Sequence, residues 1–200
     1  MKTKIKPFGL LVGIIVTAIL FIAMQFIQQG LFASATVTEK DFGPYVLVYK
    51  KHIGEYKNVG PLMDSIYNDL KDNHAITTTK GFGIYYDDPK KVSKEQLRSI
   101  IGCIVETKTI AELEALNNAY GVSMYPKSKS VVAEFPYKGK LSIIIGIYKA
   151  YPKLSSYIAK NKYSLTPIME LYDLPNKKIE YIASPNLELQ LFYSLLDQEL

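Results

Sequence analysis

The chain has no tryptophan, one cysteine and two histidines among its 200 residues. A lone cysteine, Cys103, excludes a disulfide within the chain and any thiolate metal centre. It lies in an apolar run, residues 100–105, and is expected to be a small buried hydrophobe. His52 and His74 are too few and too scattered for a zinc site, so no metal is expected. The glycines of Lys80-Gly81-Phe82-Gly83 lack the Gly-Lys-Ser/Thr ending of a phosphate loop. No Ser-His-Asp pattern is present, and no cofactor is expected. A strong charge of one sign is missing too. The net charge is +5, but Lys2, Lys4 and Lys6 stand ahead of everything else, and from residue 36 onward 21 basic residues face 19 acidic ones. That balance argues against nucleic acid as a partner, as does the lack of a basic recognition helix.

Charge is absent altogether from residues 7–38. Within them an apolar run of about 20 residues is long enough to cross a bilayer core. The three lysines before it place the N-terminus in the cytoplasm and the remainder on the far side. Ala33-Ser34-Ala35 resembles a signal-peptidase site, so a cleaved signal is the competing reading. The expected division is an N-terminal tip, transmembrane anchor and linker over 1–35, a folded domain over 36–185, and an amphipathic tail over 186–200.

What is abundant is apolar and aromatic material: 48% hydrophobic residues, with 16 Tyr and 8 Phe. Residues 45–51 read as a strand closed by Gly54. Val59, Leu62, Met63, Ile66, Tyr67 and Leu70 then fall on one helical face. Strands at 82–86 and 98–106 follow. In the connector 107–129, Thr109 is placed to cap a short helix running to Tyr120. The order then begins again. A strand at 131–137 leads to Gly139, which matches Gly54. Ile144, Ile147, Tyr148 and Tyr151 stand at the offsets from Gly139 that Val59, Leu62, Met63 and Ile66 keep from Gly54. Pro152 is expected to bend or restart this second helix. Strands at 166–175 and 178–184 complete the set.

The expected fold is therefore α+β: a duplicated β-α-β-β unit with a period of 85 to 86 residues, preceded by one transmembrane helix. The two halves would join edge to edge in one antiparallel sheet with both helices on one face. A groove between the helices, or across the sheet centre, is the natural concavity.

One carboxylate, Glu170, sits in the middle of the apolar stretch Thr166-Pro-Ile-Met-Glu-Leu-Tyr-Asp-Leu-Pro175. Burying it costs several kcal/mol unless a partner compensates. The partner is either a fixed cation of the protein, such as Lys162 or Lys178, or an arriving ligand. Aligning Tyr172-Asp-Leu-Pro175 with Tyr86-Asp-Asp-Pro89 puts Ile84 opposite Glu170 in the repeat. By that alignment the scaffold itself needs no carboxylate there.

The segments Gly81-Phe-Gly-Ile-Tyr-Tyr-Asp-Asp-Pro89, Arg98-Ser-Ile-Ile-Gly-Cys-Ile-Val105, Phe135-Pro-Tyr-Lys-Gly139 and Pro167-Ile-Met-Glu-Leu-Tyr172 together resemble the GyrI-like small-molecule-binding domain. That module serves as the effector domain of AraC- and MerR-type regulators, and it also has membrane-anchored members without a DNA-binding domain. The resemblance implies a groove for amphipathic, often cationic, organic molecules. It implies that Glu170 contacts the positive charge while aromatics stack around it, which strand alternation assigns to Phe82, Tyr86 and Tyr172, with Tyr181 on the last strand also able to reach in. A carboxylate among tyrosines suits a lipophilic cation, since each aromatic face adds about 0.5–2 kcal/mol. The family's pocket often includes a tryptophan, and this chain has none.

Two other readings stay open. Some similar proteins are hydrolases, and Glu170 with Tyr86 or Tyr172 could serve as base and acid. Alternatively the domain is an adaptor on a membrane, with a vestigial groove and a tail that recruits protein partners. A binding module should keep Glu170 reachable in an open aromatic cleft. An adaptor could fill that cleft with its own side chains or with the tail.

Overall fold

The computed structural model describes residues 7–197. Among these, helix α1 (Pro7–Gln28) is the one helix long and apolar enough to cross a membrane, and its flanks are bare of other contacts over most of its length. Strands β1 (Thr36–Phe42) and β2 (Tyr45–Ile53) follow, then α2 (Val59–His74), β3 (Lys80–Tyr85) and β4 (Arg98–Val105). The second half comprises β5 (Gly121–Tyr125), β6 (Ser128–Pro136), α3 (Lys140–Lys160), β7 (Ile168–Asp173) and β8 (Lys178–Ala183), and α4 (Leu189–Asp197) ends the described chain.

All eight strands form one antiparallel sheet in the order β1-β6-β8-β7-β3-β4-β2-β5. The expected duplication is its organising feature. Each half runs strand, helix, strand, strand, and the halves meet at the central β3–β7 pair. Gly54 and Gly139, which precede the two helices, have φ of 135° and 136°. Only glycine adopts that backbone without strain, so the same corner is used twice.

Two strands go beyond the expected repeat. β1 and β5 were not foreseen as strands, and each pairs with the opposite half, β1 with β6 and β5 with β2. β1 and β2 are only two residues apart in sequence, joined by the cis Gly43–Pro44 bond, yet they occupy distant places in the strand order. The sheet must therefore curl until its ends approach. Phe42 seals this closure, with its ring centroid 5.0 Å from that of Tyr45 and 5.7 Å from that of Tyr125.

Two further expectations are corrected. The helix foreseen between Thr109 and Tyr120 is only a 3-10 segment, Ala111–Leu116. Its N-cap is Ile110 rather than Thr109, although Thr109 N–H donates to Glu112 Oε2 at 2.8 Å and Glu112 N–H reaches Thr109 Oγ1 at 3.4 Å. Pro152 does not restart α3, which runs unbroken through it. Pro152 is exposed, so the lost hydrogen bond is left to solvent rather than to the core.

Alternation gives the sheet two dissimilar faces. The convex face packs α2 over Val48, Cys103 and Val105, and α3 over Val131, Ala133, Phe135 and Ile179. The concave face holds Leu47, Phe82, Ile84, Ile100, Met169 and Leu171, and α4 plugs it with Phe192 and Leu195. Tyr49 Oη donates to Leu195 O at 3.1 Å and Tyr86 Oη to Phe192 O at 2.7 Å. Both bonds tie α4 to the sheet.

Candidate functional site

β7 places Met169 and Leu171 in the concave core, so Glu170 between them points to the helix side. Its register neighbours are Gly83 on β3 and Tyr181 on β8. Glu170 is 3% exposed. Tyr151, reaching down from α3, donates its hydroxyl to Oε1 at 2.8 Å, and Tyr172 donates to Oε2 at 2.6 Å. Tyr85 folds back over Gly83: a Cβ at that glycine would stand 2.9 Å from the Tyr85 hydroxyl. The Tyr85 ring is itself backed edge-on by Tyr56 at 4.8 Å. Tyr181 is fully buried, with its ring 5.4 Å from Tyr151 and edge to face. Its hydroxyl donates to Ile143 O at 3.4 Å.

The site is a carboxylate ringed by phenols. Among the described residues no lysine, arginine or histidine nitrogen forms an ion pair with Glu170. Lys178, one of the two lysines considered for that role, is held by Glu180 at 2.8 Å and Glu134 at 3.6 Å on the other side of the sheet. Burial therefore pushes the Glu170 pKa up, and the Tyr172 and Tyr151 hydroxyls offset part of that rise. Burial also raises Tyr85, Tyr151, Tyr172 and Tyr181, and the charge of Glu170 adds to it in each case. All four are neutral donors near pH 7. The group as a whole can neutralise a cation and flank it with aromatic faces. A carboxylate with a raised pKa could equally take up a proton.

Of the residues expected at this site, the structure brings Glu170, Tyr172 and Tyr181 together. It places Phe82 and Tyr86 elsewhere. Phe82 is fully buried in the concave core, and Tyr86 bonds α4. The reason is a slip of one residue. Ile84, taken as the repeat counterpart of Glu170, pairs with Met169 and points to the concave side. Shifting a strand alignment by one residue exchanges its faces. The residues sharing Glu170's face are Gly81, Gly83 and Tyr85. Tyr85 was thus missed by parity alone. Tyr151 was noted only as a repeat position, and its signal was already there: it stands where the first half has the buried Ile66, so a polar tip replaces an aliphatic core residue.

The cleft is closed. Glu170 is covered by its own tyrosines, and α4 lies on the opposite face of the sheet. Two surface concavities lie elsewhere, beside Gly9, Gly13 and Thr17 of α1 and beside Pro152, Ser156 and Lys160 of α3, and neither touches Glu170.

Residues 35–183 match the GyrI-like small molecule binding domain. The chain belongs to that family. Its GyrI-like fold is shared with the crystal structure of the EcmrR C-terminal domain, at a TM-score of 0.56 and 16% identity, covering 75% of this chain and 96% of that one. It is shared as well with EcmrR in the cryo-EM structure of its DNA complex, at a TM-score of 0.58 and 14% identity, covering 84% of this chain and 64% of that one. In sequence, 133 residues (63% of this chain) are 29% identical to Testis-expressed protein 264 homolog of Mus musculus, covering 41% of it. The same holds for Testis-expressed protein 264 of Homo sapiens, at 29% identity over 133 residues and 40% of its length. The chain thus spans about two fifths of the length of the curated relatives it matches. The GyrI-like match begins at the linker and ends at β8, so α1 and α4 lie outside it.

Proposed function

We propose that this GyrI-like domain binds amphipathic organic cations at Glu170, in the groove between α2 and α3. We propose further that α1 anchors it in a membrane, with the N-terminus cytoplasmic and residues 36–185 on the far side. The observation that carries the binding reading is a carboxylate 3% exposed with phenols and, among the described residues, no cation around it. A ligand cation would supply the missing charge. To admit it, the Tyr151 and Tyr172 hydroxyls must turn away, and their rings then flank the cation. The apparent affinity falls in proportion to the fraction of open molecules.

The test is thermal unfolding of the full chain in mild detergent with tetraphenylphosphonium and other lipophilic cations, alongside Glu170→Gln. A hundredfold excess over Kd gives about 2.7 kcal/mol of stabilisation. Shifts in the parent that vanish in the variant support the reading. A second reading, an adaptor domain whose groove is vestigial, is favoured by the closure of the cleft under its own side chains. It is supported if no cation shifts the melting temperature of the parent.

A further inference from the structure

We propose that the exposed face of the first half of α3 rests on the bilayer surface, held there by anionic lipid. This builds on the reading of α1 as a membrane span. Three observations carry it.

The first is position. Gln29, just past the end of α1, packs on Gly139, where a Cβ would stand 2.6 Å from Gln29 Oε1. Gly30 packs on Phe135, with 3.3 Å from its would-be Cβ to Cζ. The linker then runs along α3, where Lys153 Nζ donates to Ser34 Oγ at 2.7 Å and to Ala35 O at 2.8 Å. The first turn of α3 is therefore docked beside the end of the apolar helix.

The second is composition. Ile144, Ile147 and Tyr148 are 54%, 37% and 77% exposed, and Phe32 in the linker is 79% exposed. Residues 135–169 hold six lysines and no acidic residue. An apolar stripe with an aromatic and lysines around it is the pattern of a helix lying in an interface.

The third is the contrast with α2, whose apolar residues Val59, Leu62 and Met63 are all buried or half-buried. α2 also carries Asp64, Asp69 and Asp72. One scaffold thus has a covered acidic version of this helix and an uncovered basic one, and the uncovered one is next to the anchor. Tyr151, whose hydroxyl covers Glu170, lies one turn beyond Ile147.

The absence of tryptophan makes the test clean. Single variants Tyr148→Trp, Phe21→Trp and Ile53→Trp of the full chain are reconstituted in phosphatidylcholine–phosphatidylserine vesicles, with and without bromine on the upper acyl chain. Ile53 is 71% exposed beside Gly54, the counterpart of Gly139 in the other half. An apolar face sunk roughly 5–10 Å into the interface should lose about half its emission in Tyr148→Trp, while Ile53→Trp is unchanged. Phosphatidylcholine alone should weaken the effect. Quenching in Phe21→Trp with none in Tyr148→Trp overturns the proposal. A blue shift of Tyr148→Trp that grows with protein concentration and ignores bromine also overturns it and assigns the stripe to a second copy. No quenching in Phe21→Trp overturns the anchor reading along with it.

Discussion

Glu170 is the residue on which two opposed demands meet. Its strand needs apolar neighbours on both faces, and its carboxylate needs charge or water. The structure answers with two phenolic donors. Hydrogen bonds to a charged group contribute about 1.5–3 kcal/mol, so Tyr151→Phe should destabilise the protein by that amount at pH 7. The loss should shrink at pH 4, which denaturant unfolding at the two pH values will measure. The wild-type pH dependence has a definite sign. Burial raises the folded pKa of Glu170 above its unfolded value. Its stabilising contribution is therefore complete below the unfolded pKa and is lost as pH rises through the folded pKa. Glu170→Gln should flatten that slope and melt higher than wild type at neutral pH. An unchanged slope would mean that the carboxylate is not the group titrating. The sequence made this residue visible because one acid in an apolar strand is conspicuous. It did not make its neighbours visible, because the face of a strand depends on parity, and the repeat admitted offsets of 85 and 86.

At the scale of elements, the strands and helices with a strong period were legible. α2 starts and stops within a residue or two of where its apolar face and Asn73-His74 place it, and β2, β3, β4 and β8 hold the expected apolar runs. What escaped were β1 and β5. Thr36-Val-Thr-Glu-Lys-Asp-Phe42 carries three consecutive charges, Glu39, Lys40 and Asp41, and its value as a strand lies in its partner β6, far away in sequence. Such pairings are set by tertiary context rather than by local preference. α4 was legible as amphipathic, but not what it covers. Its plug on the concave face yields a prediction. Phe192→Ala should cost about 3–5 kcal/mol, because the ring is fully buried between the sheet and the tail. Tyr86→Phe, which removes the bond to Phe192 O, should cost about 0.5–1.5 kcal/mol. Neither change should abolish a Glu170-dependent ligand shift, since both act on the opposite face of the sheet. Loss of that shift in Tyr86→Phe at unchanged stability would put the binding groove on the concave side instead.

For the whole molecule, duplication has not produced two separable halves. Seven strand pairings hold the sheet, and three of them, β1–β6, β2–β5 and β3–β7, join one half to the other. The concave core mixes Leu47, Phe82 and Ile100 with Val132, Met169 and Ile182, and α4 covers residues of both halves at once. Neither half can bury its own face of the sheet without the other. Unfolding of the domain should accordingly be a single cooperative step. Leu70→Ala under α2 and Leu154→Ala under α3 lie in different halves, and both side chains are almost wholly buried. Each should cost about 2–5 kcal/mol and move one shared midpoint, with the denaturant slope unchanged. Tyrosine fluorescence and far-ultraviolet dichroism should report the same midpoint in both variants. Two midpoints, or a variant that shifts one probe and not the other, would show that the halves fold independently. The crossed edge strands would then be late additions rather than the clasp that closes the sheet.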